Sequence, residues 1–155
     1  MAVRVPVIKI QIVKERTMPY QESINIGSPF DAAQFIRTYI GEADREHFVV
    51  LLLNTKHRIN AIHTVSVGSL SATIVHPREV LKAAILANAA ALVVGHNHPS
   101  GDPTPSQEDV SVTHRLLQAS AIMGIELLDH VIVCEDRHMS FKERGFLDMI
   151  AKSES

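Results

Sequence analysis

A chain of 155 residues, 46% apolar and 21% charged, can build one core of its own, which excludes a disordered or fibrous protein. Fifteen basic against seventeen acidic residues leave a formal charge of −2, so no general cationic field gathers nucleic acid over the surface. A single cysteine, Cys134, excludes an internal disulfide and thiolate-rich metal clusters, while the histidines number nine.

In chain order, residues 3–14 alternate, with Ile8, Ile10 and Ile12 on one side, and are expected to form a strand. Residues 15–27 are polar and broken by Pro19, a connector with a short second strand over Ser23–Ile26. Ser28-Pro29 reads as a helix start, and Phe30, Ala33, Ile36, Tyr39 and Ile40 recur at helical spacing until Gly41 stops the helix. The apolar run Phe48 to Leu53 predicts a strand covered on both faces, and Asn54 to Asn60 turns it into a second strand, Ala61 to Val67. His76-Pro77 opens a helix whose buried side is expected to carry Val80, Leu81, Ala84, Ile85 and Asn88, followed by a buried strand over Ala91–Gly95. Asn97 to Pro105 is a loop with three prolines. Ser106 starts another helix, with Val110, Leu117, Ser120 and Ala121 on its stripe and Gly124 at its end. Ile125–Glu135 reads as a strand, Asp136-Arg137-His138 as a tight turn, and Ser140 as the start of a terminal helix that frays near Lys152.

The order β-α-β-β-α-β-α-β-α predicts an α/β domain, a single mixed sheet flanked by helices. Residues 1–27 are the N-terminal strand and connector, 28–150 the domain and 151–155 a frayed tail. The N-terminus has no charged stub before an apolar stretch, and the most apolar region, Val80–Gly95, carries Lys82 and Asn88 and is too short to span a bilayer. A cytoplasmic protein without a membrane partner is expected. The edge strand over 3–14 offers a surface with which a second copy can pair, a homodimer.

The chemistry concentrates between Gly95 and Asp109. His96 and His98 stand two apart at a strand end, so both imidazoles project from the same face and can reach one point. Two imidazole nitrogens make two corners of a zinc tetrahedron. The proline-stiffened loop turns the chain back, and Asp109, in the first turn of the next helix, can bring a third ligand. Three protein ligands and one open position describe a catalytic zinc site rather than a closed structural one. Ser106-x-x-Asp109 also has the spacing of a helix capping box, a role that does not exclude metal binding by Asp109.

His96-x-His98, seven residues, Ser106, two residues and Asp109 resemble the JAMM signature of MPN-type metallopeptidases. The string His-Asn-His-Pro-Ser-Gly-Asp-Pro-Thr-Pro-Ser, with Val75-His76-Pro77-Arg78-Glu79-Val80 before it and Leu128-Asp129-His130-Val131-Ile132-Val133 after it, is similar to the RadC branch. The resemblance covers about Asp44 to Leu147. It implies a cytidine-deaminase-like α/β fold, one zinc per chain on His96, His98 and Asp109, and hydrolysis of a peptide or isopeptide bond in a peptide or protein substrate. It also implies a role for Ser106 in stabilising the tetrahedral intermediate and a glutamate general base at the start of a buried strand. Glu46, just before His47-Phe48-Val49, fits that place, although a solvated strand-edge charge fits it too; Glu79 competes from a helix's first turn, where acids suit the dipole anyway. The RadC name carries an association with DNA repair. RadC chains have an N-terminal helix-hairpin-helix segment, whereas residues 1–27 here read as strand and connector.

The remaining candidates are less pointed. Asn97 faces away from the metal by strand alternation, with a loop or substrate-edge role at most. His130, beside Asp129 in an apolar strand, reads as a hydrogen-bonded core residue or a support for the site. Cys134 reads as a small packing residue rather than a nucleophile. Two rival functions remain: a nuclease-like DNA-processing protein, which lacks the basic groove, and a non-catalytic metal-binding interaction module.

Overall fold

The computed structural model describes residues 1–68 and 75–153. Among the described residues nine elements follow in the order α1 (Pro29–Ile40), β1 (His47–Leu53), β2 (Ile59–Val67), α2 (Pro77–Leu86), β3 (Ala91–Asn97), α3 (Gln107–Met123), β4 (Glu126–Val133), β5 (His138–Ser140) and α4 (Phe146–Lys152). One five-stranded sheet has the order β2-β1-β3-β4-β5. β3 and β4 are parallel, joined by α3 as a crossover, and the other neighbours are antiparallel, so the sheet is mixed as expected.

Strand alternation assigns the two faces. Val49, Leu51, Leu53, Val93, Val131 and Val133 pack under Ala32, Ala33, Phe35 and Ile36 of α1. Phe48, Val50, Leu52, Leu92 and Val94 face Val80, Leu81 and Ala84 of α2 and Val112 and Leu116 of α3. β1 is buried along its length after His47 because helices cover both sides of it. Gly95 lies on the α1 face, where a Cβ would stand 2.5 Å from Ile36 Cδ1 and 3.0 Å from the Val131 carbonyl oxygen. Glycine lets α1 sit close against the strand that carries the histidines.

Several expectations are corrected. Residues 3–14 form no strand: Val3, Val7, Ile8, Ile10 and Ile12 are exposed, and the segment makes no ladder with the sheet among the described residues. Alternation licenses a strand only where a partner edge supplies the hydrogen bonds. The strand over Ser23–Ile26 shrinks to one bridge, Asn25 with Arg58, while Met18, Tyr20, Ile24 and Ile26 pack on the α1 side of the core. In α1, Phe30 is exposed, and Phe35 is buried in its stead. In α2, Ile85 is exposed, off the buried face of Pro77, Val80, Leu81 and Ala84, and Asn88 is exposed beyond the helix end at Leu86, in a left-handed turn at φ 52. The buried side of α3 is Asp109, Val112, Thr113, Leu116 and Ser120, not the stripe through Val110, Leu117 and Ala121. An inward Asp109 sets that phase, since residues three and four apart share a face.

Ser140 does not open a helix. Its hydroxyl donates to Asp129 Oδ2 and accepts from the Glu143 amide, the bond a helix start would make, but β5 holds it in the sheet. The chain turns until Gly145, at φ 76, and α4 begins at Phe146. Of the expected tail over 151–155, residues 151 and 152 belong to α4, and 154 and 155 lie outside the described residues. No helix among the described residues is long and apolar enough to cross a membrane.

Candidate metal centre

The register of β1 on β3 builds the site. Phe48 pairs with His96, and continuing the antiparallel ladder outward sets Glu46 opposite His98 on the same face. α3 then starts beneath the end of β3. Its first turn is fixed by a capping box in which the Ser106 hydroxyl accepts from the Asp109 amide at 3.1 Å and Asp109 Oδ2 accepts from the Ser106 amide at 2.8 Å. The capping box uses Asp109 Oδ2 and leaves Oδ1 turned toward His96.

One ligand atom each from His96, His98 and Asp109 lie within 4.8 Å of one another, a group able to hold a metal ion. His96 Nε2 is 3.0 Å from His98 Nε2 and 3.3 Å from Asp109 Oδ1, and His98 Nε2 is 3.5 Å from Asp109 Oδ2. The outer nitrogens point elsewhere: His98 Nδ1 donates to the Asp102 carbonyl at 2.8 Å, and His96 Nδ1 lies 2.9 Å from His130 Nε2. This is the donor arrangement a cation needs, with inner nitrogens facing a carboxylate and outer ones anchored. Two imidazoles and a carboxylate suit zinc and other borderline divalent metals.

The electrostatics agree. Burial works to raise the Asp109 carboxyl, yet hydrogen bonds to His96 and His98 and to the Ser106 amide hold it well below the usual carboxylate range. The Asp109 carboxylate raises His98 above its ordinary value against the opposing effect of burial. The same pull that draws a proton to His98 would draw a cation to the centre. His130 is held well below its ordinary value, by its complete burial first and by His96 next.

Glu46 Oε1 lies 4.0 Å from His98 Nε2. Side-chain exposure rises from 0% at His96 through 12% at His98 to 30% at Glu46, so the group opens in one direction. It opens into a cleft of about 360 Å³ lined by Glu46, His98, Ser100, Asp102, Thr104, Ser106, Glu108 and Asp109. Four carboxylates line that cleft, and no lysine or arginine does among the described residues. Glu79, the competing acid, pairs with Lys82 on the surface of α2 and takes no part.

Two features escape a reading of the sequence. Asn97 is a clamp rather than a loop residue: its Oδ1 accepts from the His47 amide at 2.7 Å and its Nδ2 donates to the Arg45 carbonyl at 3.0 Å. Those bonds grip the chain on both sides of Glu46, whose own carbonyl accepts from Gly68 at 2.8 Å. Thr113, one turn beyond Asp109, bonds both the Asp109 carbonyl and His130. The i to i+4 spacing from Asp109 was its only signal. His130 supports His96, as one of its two expected roles had it. Cys134 is buried, and burial pushes its thiol up, as befits a packing residue.

The family model described as the RadC-like JAB domain matches residues 26–146. Relatives named as UPF0758 proteins include one from Caldanaerobacter subterraneus, 50% identical over 127 residues that make up 82% of this chain and 54% of the relative. Another, from Shouchella clausii, is 53% identical over 126 residues, 81% of this chain and 55% of the relative. A third, from Desulforamulus reducens, is 45% identical over 130 residues, 84% of this chain and 57% of the relative. The chain spans about half the length of these relatives. With a mixed five-stranded α/β fold, a His-His-Asp group able to take a metal and a family match over most of its length, the chain belongs to the RadC-like JAB domain family.

Proposed function

We propose that the domain is a zinc-dependent hydrolase of amide bonds, peptide or isopeptide. The observation that carries this reading is the convergence of His96 Nε2, His98 Nε2 and the Asp109 carboxylate with their outer atoms already bonded. Zinc bound there supplies a Lewis acid that polarises a carbonyl and makes water acidic near neutral pH. The rest is work for the chain. Glu46, at the open side of the group, takes the proton of the attacking water and returns it to the leaving nitrogen. The Ser106 hydroxyl accepts from the Asp109 amide, so its own proton remains to be donated to the developing oxyanion. Asn97 holds the Glu46 segment against the end of β3.

The carboxylates lining the cleft favour an amide substrate over a phosphodiester backbone, which would meet like charge there. The DNA-repair association of the family name therefore gains no support from the site, and the interaction module differs from the hydrolase in lacking turnover. The test is a panel of quenched fluorescent peptides and isopeptides offered to the zinc-loaded chain and to Glu46→Gln. Cleavage by the first, with a loss of about a hundredfold or more in the variant at unchanged zinc content, is expected for a general base. Zinc without turnover on any substrate would turn the reading toward the interaction module, and equal turnover in Glu46→Gln would remove Glu46 from the chemistry.

A further inference from the structure

We infer that Thr113 and His130 are positioning residues that fix the tautomer of His96, leaving the Nε2 lone pair of His96 free toward His98 and Asp109. The inference follows from counting protons along a buried chain of hydrogen bonds. Thr113 Oγ1 lies 2.7 Å from the Asp109 carbonyl oxygen, which can only accept, so the single hydroxyl proton sits there. Without it, two oxygens would face each other bare at that separation. Toward His130 Nδ1, 2.6 Å away, the hydroxyl offers only a lone pair, so Nδ1 of His130 carries the hydrogen.

His130 is completely buried, stacked on Phe141 and against the edge of Phe48, where a charged ring would be costly, so with its one proton on Nδ1 its Nε2 is bare. That atom is 2.9 Å from His96 Nδ1, which must therefore be the donor. The ring sequence is locked mechanically as well. His130 stacks on Phe141 at 4.6 Å between centroids and meets the edge of Phe48, which stacks on His96 at 5.9 Å. The chain begins at the backbone carbonyl of Asp109 and ends by orienting His96, so one residue of the metal group helps set the tautomer of another.

The tautomer itself stands apart from the zinc-hydrolase reading; its effect on affinity rests on that reading. The test uses the full chain labelled with ¹⁵N and free of metal, in which long-range proton–nitrogen spectra report which His96 nitrogen is protonated. Protonation at Nδ1 is expected in the wild type. Thr113→Val keeps the shape and removes the acceptor, so Nε2-protonated His96 should become populated and zinc affinity, read by chelator competition, should fall about ten- to a hundredfold. Thr113→Ser should restore both, which a purely structural role for Thr113 would not require. A wild-type His96 protonated at Nε2, or Thr113→Val with tautomer and affinity both unchanged, would overturn the inference. A wild type that shows the Nδ1 form yet binds no zinc would sustain the tautomer and remove the metal reading instead.

Discussion

Gly95→Ala adds a single methyl group at the tightest point between α1 and the sheet, one residue before His96. The new Cβ would stand 2.5 Å from Ile36 Cδ1, where carbon atoms rest at about 3.5–4.0 Å, and 3.0 Å from the Val131 carbonyl oxygen on the neighbouring strand. Ile36 is fully buried and cannot swing into solvent. The Val131 oxygen belongs to the backbone of a central strand paired at Gly95 itself and cannot retreat without breaking the ladder. Overpacking of this kind costs about 1–3 kcal/mol. For a chain of this size the melting temperature should fall by about 2–12 °C in a circular-dichroism melt. The cause can be isolated with Ile36→Val, which removes the clashing Cδ1 and alone costs about 0.5–1.5 kcal/mol. The double variant should melt no lower than Gly95→Ala alone, a coupling of about 1 kcal/mol between the two positions. A melting temperature for Gly95→Ala within about 1 °C of wild type, or strict additivity in the double variant, would refute the close-approach argument.

Other perturbations separate site from scaffold. Asn97→Ala should lose about 2 kcal/mol with its two backbone bonds and speed amide exchange at His47, yet leave zinc affinity unchanged within about threefold, because its side chain faces away from the centre. Ser106→Ala should cost about 1 kcal/mol of α3 capping, whereas Ser106→Gly costs only a few tenths; a glycine variant that melts like wild type but cleaves amides poorly separates the hydroxyl's chemical role from its capping role. Deletion of residues 1–14 should leave the melting temperature unchanged, since the segment lends no strand to the sheet, while Tyr20→Ala should lower it by removing the edge contact with Phe35 at 4.7 Å.

What the sequence discloses is what short-range spacing determines. His96 and His98 share a face because alternate residues of any strand do, and Ser106 and Asp109 meet because three residues span the first turn of any helix. The continuous apolar run of β1 foretells a central strand for the same local reason. Asn97 is different: its clamp exists only because β1 and β3 pair in the register that brings Arg45 and His47 beside it. His130 likewise reaches His96 through the parallel register of β3 on β4, in which Val94 pairs with His130. No spacing along the chain encodes either register. The N-terminal segment errs in the other direction, since its alternating isoleucines are a strand pattern that no sheet edge completes. At Ser140 a true capping bond forms, but Asp129 and the ladder to β4 hold the residue in a strand.

The zinc-hydrolase proposal depends on His96 in β3, His98 just beyond its end and Asp109 in α3 sharing one cation. Elemental analysis of the purified chain beside Asp109→Ala, each equilibrated with zinc and freed of excess, measures this directly. About one zinc per wild-type chain and a clear loss in the variant are expected, because a buried carboxylate ligand is missing from a set of three. Equal zinc in the two proteins would take Asp109 out of the coordination sphere, and a wild type that retains none would contradict the metal centre altogether.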